Sequence, residues 1–148
     1  MVEVLSVAAV VGSGVIAGVL FAVALSVFPA LQAMPADRYV YTHKLVGRRW
    51  DPTMPAIVLS STAADVVLAA LSPAGRPWFV TGAVTLAAVS VVSHFCNVPI
   101  NRRVKSLPDW TIPAGWQDPR PVWRRWHLAR TALAVLAALA NAVAVITP

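Results

Sequence analysis

The chain has 148 residues, of which 58% are hydrophobic and 12% are charged, and its mean hydropathy is +0.70. Soluble domains have about 45–50% apolar and about 25% charged residues, so water is not the main solvent of this protein. The net charge of +6 does not indicate nucleic-acid binding, because the basic residues lie almost entirely between apolar segments. A single cysteine, Cys96, excludes an intrachain disulfide. We expect one integral membrane domain over residues 1–148, with no nucleic-acid partner.

Four apolar segments reach the length of roughly 20 residues that a helix needs to cross a bilayer. They cover approximately residues 4–28, 52–71, 78–98 and 123–146. This pattern predicts an all-α fold, an integral membrane four-helix bundle with a long ordered loop between the third and fourth spans. The first segment exceeds the h-region of a signal peptide, about 7–15 residues, and Glu3 stands where a basic n-region would be. We therefore expect it to remain as a span.

Local signals mark how the spans begin, end and pack. Gly14 and Gly18 form a small-xxx-small face, which serves either packing inside the bundle, the reading we favour, or a homo-oligomer. Asp51 followed by Pro52 predicts a capped start of the second span. The third span is expected to kink or end at Pro99. The loop after it contains Trp110, Trp116 and four prolines, which is typical of an ordered interfacial segment.

The distribution of basic residues predicts the orientation. Ten lysines and arginines lie in and beside the connections that follow the first and third spans, whereas the connection after the second span has only Arg76. Because lysine and arginine are enriched in cytoplasmic loops, both long loops should be cytoplasmic. The chain is then a multi-pass protein of the cell (inner) membrane with both termini extracytoplasmic.

Polar residues within the spans form two groups. Asp65, Thr81 and Asn141 are expected at similar depth toward the extracytoplasmic end. Since an ionisable group in hydrocarbon needs a partner, we predict that these three satisfy one another as a structural layer, with a functional site as the alternative.

The second polar group is expected near the cytoplasmic end. His94, Asn97 and Asn101 would share a face if the third helix continued through Pro99, and His127 and Arg130 are one face apart on the fourth helix. His43 lies on the same side and could close over them. The alternative is a structural role, because asparagine and histidine at helix ends often cap backbone groups or bind water. We favour a functional pocket, because polar groups of different chemistry converge beside an apolar cavity.

A metal site is the sharper alternative for this second group. His43, His94 and His127 are three imidazoles that could approach one another, and His94 with His127 is the one pair suited to haem. No HxH, HxxH or HxxxH spacing fixes any pair locally, so the metal signal is weak. A Gly-rich phosphate loop, a GxSxG element, a CxxC pair and paired carboxylates are all missing, which argues against phosphoryl transfer and triad hydrolysis.

Two sequence elements resemble a known family. They are Asn97-Val98-Pro99-Ile100-Asn101 and Trp123-Arg124-Arg125-Trp126-His127-Leu128-Ala129-Arg130-Thr131. Together with Gly14, Gly18 and Pro29-Ala30-Leu31 they are similar to the DUF1772, or anthrone oxygenase-like, membrane proteins, and the resemblance covers nearly the whole chain. It implies the four-span fold. For some members it also implies polyketide tailoring, in which dioxygen oxidises an anthrone carbon to a quinone.

The resemblance implies a monooxygenase that acts on an aromatic, polyketide-like small molecule and dioxygen, and this chemistry needs no cofactor. If it applies here, the positions and chemical types of the polar residues give the following roles as a hypothesis. His94 or His127 would be the base. Asn97, Asn101 and Arg130 would donate hydrogen bonds to an enolate or phenolate oxygen. The expected substrate-binding residues are Trp123, Trp126, Trp116 and His43. The alternatives are a copper- or iron-dependent membrane oxidoreductase that uses His43, His94 and His127, and a lipid-binding, solute-binding or transport-type protein without chemistry.

Overall fold

The computed structural model describes residues 1–108 and 112–147, so Trp110 lies outside the described residues, as does the side chain of Asp51. The described part forms α-helices and two π-helical turns. The helices are α1 (Val2–Ala22), α2 (Phe28–Ala33), α3 (Ala36–Val46), α4 (Trp50–Leu71), α5 (Arg76–Val92), α6 (Val98–Lys105) and α7 (Arg120–Ile146). The π-helical turns are Val23–Val27 and Ser93–Asn97.

Four helical stretches are long and apolar enough to cross a membrane, which confirms the all-α four-span prediction. They are Val2–Ala33, Pro52–Leu71, Arg76–Lys105 and Arg120–Ile146. The start predicted at Asp51 is close, since α4 begins at Trp50. The first and third spans run farther than predicted, because neither Pro29 nor Pro99 ends its helix.

A π-helical turn accommodates each of these two prolines. Proline lacks an N–H, and its ring clashes with the carbonyl group four residues earlier. Just before Pro29 the Phe28 N–H bonds to Val23 O, and just before Pro99 the Val98 N–H bonds to Ser93 O, five residues back in both cases. The wider turn absorbs the proline without breaking the helix, and it changes which side chains face the bundle on either side of it.

The four spans form a closed bundle in which α1 and α5 each pack against both α4 and α7. Its middle is an apolar cluster of buried residues that includes Ile16, Leu20, Val58, Leu86 and Ala134. Small residues at helix contacts allow close approach in membranes, and α7 presents a row of buried alanines: Ala134, Ala137, Ala140 and Ala144.

Glycine contacts differ from the prediction. Gly14 and Gly18 are exposed, and a Cβ built on either would meet nothing within 4 Å, so they do not mediate packing between the spans. Close approach occurs instead at Gly12, beside Ser61, and at Gly82, beside Asp65 and Asn141. The spacing of two glycines identified a small face, but only the bundle geometry decides whether that face is covered.

The predicted polar layer forms with one change of membership. Asn141 Nδ2 donates to Asp65 Oδ2 at 3.3 Å and to Ser13 Oγ at 3.2 Å, and all three residues are fully buried. Thr81 is not a member: it is exposed, and its hydroxyl donates to Pro77 O in its own helix. Its neighbour Gly82 faces the interior at that level of α5.

The opposite end of the molecule, which we call the basic end, comprises α2, α3, α6, the following loop and the first turns of α7. Leu31, Tyr39, Val40 and Val104 form a buried cluster there, and Trp116 packs against it. The basic end therefore has its own small core, which supports the candidate site described next.

Candidate functional site

A buried stack of aromatic rings lies where α2 meets α7. The Trp123 indole lies between Phe28, at 5.3 Å between ring centroids and 11° between planes, and His127, at 4.7 Å and 7°. Trp123 and His127 are four residues apart on α7, so they share one helix face. The His43 ring meets the Trp123 ring edge-on at 6.3 Å. Three of the predicted site residues, His43, Trp123 and His127, are thus brought together.

Both ring nitrogens of His127 have partners that define its tautomer. Nε2 lies 3.0 Å from Leu20 O, and Nδ1 lies 2.9 Å from an Arg130 terminal nitrogen and 3.2 Å from Arg130 Nε. A carbonyl oxygen only accepts and a guanidinium only donates, so Nε2 carries the hydrogen and Nδ1 accepts. His127 is 1% exposed and is held as a neutral imidazole whose basic nitrogen faces Arg130.

Arg130 is a cation held by neutral groups. Besides His127, its guanidinium donates to Ser93 Oγ at 3.2 Å, and its central carbon lies 5.7 Å from the centroid of the Trp123 ring. Among the described residues no carboxylate forms an ion pair with it. A positive charge in this position is costly unless it is paired or has a function, and it attracts an anion.

Two asparagines tie α6 and its preceding turn to this stack. Asn101 Oδ1 accepts a hydrogen bond from Trp123 Nε1 at 2.8 Å, and Asn97 Nδ2 donates to Trp123 O at 3.3 Å. Asn97 is fully buried, and its Oδ1 has no hydrogen-bond partner in the part of the chain that the structure describes. The site therefore contains one buried acceptor that is free for a donor.

Three predicted residues lie outside the stack. His94 is exposed and its ring contacts Phe95, Trp126 is 41% exposed, and Trp116 packs in the core of the basic end. The expectation that His94 shares a face with Asn97 is wrong. Both residues lie in the π-helical turn, which has more residues per turn than an α-helix, so residues three apart point in different directions. The three histidines that the metal alternative would need, His43, His94 and His127, do not come together. Within residues 1–108 and 112–147 no group of three His, Cys, Asp or Glu side chains is placed to hold a metal ion.

Comparison with known proteins gives one finding. A family model described as anthrone oxygenase matches residues 43–140, well over half of the chain. The chain belongs to the anthrone oxygenase family. No curated protein and no solved structure matches it. Membership of the family supports an oxygenase-like role in general.

The part that matches the anthrone oxygenase family contains His43, Asn97, Asn101, Trp123 and the pair His127 and Arg130. Three further contributors were missed by sequence reasoning: Phe28 in the stack, Ser93 on Arg130 and the Leu20 carbonyl on His127. The proline after Phe28 was a signal that the helix has a special turn there. Ser93 and a backbone carbonyl carry no signal, because their roles arise only from packing between helices.

Arg120 connects the start of α7 to the end of α2 beside the anthrone oxygenase stack. One terminal nitrogen donates to Leu31 O at 3.0 Å and Met34 O at 2.8 Å, and the other lies 2.6 Å from Asp118. Hydrogen bonds from Arg120 hold the pKa of Asp118 below its usual range, and burial raises the pKa of Tyr39, over whose ring Arg120 lies. These contacts join the end of α2, which carries Phe28, to the start of α7, which carries Trp123.

The functional pocket that the sequence predicts at the polar group stays a prediction, and the groove described by the structure lies elsewhere on the basic end. A surface groove of about 450 Å³ lies on the basic end between α2 and α3; it is lined by Ala33, Met34, Pro35, Arg38, Tyr41 and Thr42. No residue of the stack lines this groove. The groove and the aromatic stack are therefore separate features of the basic end in this member of the anthrone oxygenase family.

Proposed function

We propose that the protein is a membrane-bound oxygenase that acts on an aromatic, polyketide-like, anthrone-type molecule at the basic end. The observation that carries the proposal is the Arg130 guanidinium, a cation that has no carboxylate partner within residues 1–108 and 112–147, contacts a neutral imidazole and lies over a buried indole. An aromatic enolate offers the negative charge and the flat apolar surface that this arrangement accepts. The expected co-substrate is dioxygen, and the first expectation remains that no cofactor is needed.

The chemistry of such a substrate can proceed without an added redox centre. Loss of a proton from the anthrone CH₂ group gives an enolate, which passes one electron to dioxygen. Recombination of the two radicals forms a peroxide on the same carbon, and loss of water leaves a carbonyl group. One oxygen atom enters the quinone and the other leaves as water. Because the first step forms an enolate, the protein must take a proton and stabilise an oxyanion.

Arg130 and His127 supply these two roles in a coupled step. When Arg130 turns toward the carbonyl oxygen of the bound anthrone, which becomes the enolate oxygen, it releases His127 Nδ1, the nitrogen that accepts in the resting state. The freed nitrogen then takes the proton from the substrate carbon. Nδ1 thus becomes available as a base when Arg130 bonds to the substrate oxygen on which the negative charge will form.

The remaining members of the cluster bind and position. The free Asn97 Oδ1 accepts from a phenolic hydroxyl of the substrate, and Trp123 provides the aromatic wall, held by Asn101. His43 lies at the edge of this wall. The catalytic role predicted for His94 and the substrate contacts predicted for Trp116 and Trp126 are left out of this proposal, since those side chains lie outside the stack.

Oxygen uptake by the purified protein tests the proposal. With a panel of hydroxylated anthrones, we expect uptake above the uncatalysed rate and one dioxygen consumed for each quinone formed. Elemental analysis of the same sample, with His43→Ala and His127→Ala variants beside it, examines the metal-dependent alternative. Uptake that never exceeds autoxidation would refute the oxygenase. Stoichiometric copper or iron that is lost in both variants would refute the cofactor-free scheme.

A further inference from the structure

A second buried polar site lies at the end of the bundle opposite to the aromatic stack. Asp65 of α4, Asn141 of α7 and Ser13 of α1 meet there, each with no exposed surface. Among the described residues, Asn141 and the backbone of Gly82 meet Asp65 from the other helices, and Ser13 joins through its bond to Asn141. None of these groups is charged or titratable. An ionised Asp65 would thus be a buried charge without a counter-charge.

The hydrogen bonds of this layer have too few donors. The Asn141 amide donates to Asp65 Oδ2, Ser13 Oγ and Ala9 O, and the Ser13 hydroxyl donates to Ala9 O at 2.7 Å. Two oxygens, Asp65 Oδ1 and Asn141 Oδ1, are buried and have no partner among the described residues. Two buried acceptors without a donor are unfavourable, and one added hydrogen shared between the acid and the amide would satisfy both.

We propose that Asp65 and Asn141 form a proton-binding site in which Asp65 is a neutral carboxylic acid. A carboxylic acid and a primary amide pair through two reciprocal hydrogen bonds, from the amide N–H to the acid and from the acid O–H to the amide oxygen. The first of these, Asn141 Nδ2 to Asp65 Oδ2, is present. The two oxygens without partners are the two that the second bond joins.

The packing favours a proton over a metal cation. A Cβ on Gly82 would lie 2.6 Å from Asn141 Oδ1 and 2.7 Å from Asp65 Oδ2, so the α5 backbone packs directly against the pair. A proton needs no coordination shell, whereas a hard cation takes about six or more oxygen ligands. The described side chains around Asp65 do not offer that many.

Infrared spectroscopy of the purified protein in lipid tests this inference independently of oxygenase activity. At neutral pH we expect a carbonyl stretch from one protonated carboxyl group per chain, which is lost in Asp65→Asn and shifts in Asn141→Leu. Raising the pH should remove the band and lower the melting temperature of the wild type, because the neutral acid is the form that the fold favours. Asp65→Asn should melt with little dependence on alkaline pH.

Several results would overturn the inference. A wild-type spectrum without a protonated carboxyl band at neutral pH does so even if Asp65→Asn fails to assemble. A band that persists in Asp65→Asn assigns the proton to another residue. Sodium-dependent stabilisation of the wild type that disappears in Asp65→Asn shows a cation site in place of a proton site.

Discussion

At the scale of single residues, Trp123 organises the candidate site through three parts of its structure. Its ring stacks on Phe28 and His127, its Nε1 donates to Asn101, and its carbonyl accepts from Asn97. It is 7% exposed, so these contacts are shielded from solvent and lipid. The position of His127 therefore depends on Trp123.

Two substitutions of Trp123 should separate the contribution of its packing to stability from that of its hydrogen bond. Trp123→Ala removes a buried indole and should cost about 3–5 kcal/mol of unfolding free energy. Trp123→Phe keeps a ring in the stack but loses the bond to Asn101, at a cost of about 1 kcal/mol. Denaturant unfolding in detergent measures both. Trp126→Phe, on the exposed side of α7, is the control and should change little; equal losses at both positions would contradict the assignment.

Gly82 is a position in the spans where a single added methyl group should lower stability. In Gly82→Ala the new Cβ would lie within 2.7 Å of oxygens of both Asp65 and Asn141, so we expect a loss of about 1–3 kcal/mol. Gly14→Ala is the matched control, because its Cβ meets nothing within 4 Å. Thermal melting in detergent compares the two. A melting temperature of Gly82→Ala equal to or higher than that of Gly14→Ala would disprove the close contact.

The histidines show how far residue-level prediction from the sequence reached. Sequence spacing placed His94 and His127 at the same end, and both do lie near the basic end. Only His127 faces the interior, because a π-helical turn rotates His94 outward. This turn directly precedes Pro99, and a helical wheel drawn with a constant number of residues per turn does not predict it.

At the scale of elements, the basic end is held together by short helices rather than by the spans. Arg120 donates to the last carbonyl groups of α2 from the first residue of α7, and Asp118 fixes its orientation. Sequence reasoning predicted the four spans well, since hydropathy and length define them. It did not predict α3, α6 or this contact, because their apolar surface is small and their partners are distant in the chain.

The Asp118–Arg120 pair should make stability depend on acid pH. The pKa of Asp118 is lowered in the fold, so its contribution is present above the unfolded pKa of about 3.9 and is lost as pH falls through the folded value. Asp118→Asn should lower the melting temperature slightly at neutral pH, since the carboxylate is partly exposed, and should match the wild type in strong acid. Glu3→Gln, an exposed change far from the pair, is the control. A difference that grows as pH falls would contradict this sign.

At the scale of the whole molecule, the charge distribution predicts how the bundle sits in the membrane. Basic residues gather at the end that also holds the aromatic stack, so we propose that this end faces the cytoplasm. Alkaline phosphatase fused after α7 should be active, and fluorescent protein at the same place should be dark. The same reporters inserted after α6 should give the opposite pattern. Fluorescence at the C-terminus would reverse the orientation.

The fold and the candidate site differ in how they follow from the sequence. Hydrophobic stretches specify four spans whatever the details of their packing, whereas the site depends on which face of each helix turns inward. Arg130, His127, Asn97 and Asn101 were found because polar groups in apolar spans need a reason. Ser93 and Phe28 were not, since a serine or a phenylalanine in a span is unremarkable until its neighbours are known.

The most direct test of the account compares His127→Gln with His94→Gln in turnover of an anthrone, measured as oxygen uptake for each mole of folded protein. His127 is buried against Arg130 and Trp123, whereas His94 is exposed beside Phe95. Loss of the base should reduce turnover by about 10²–10⁴-fold in His127→Gln and leave His94→Gln close to the wild type. Equal activity in the two variants, or loss in His94→Gln alone, would contradict the assignment of the site.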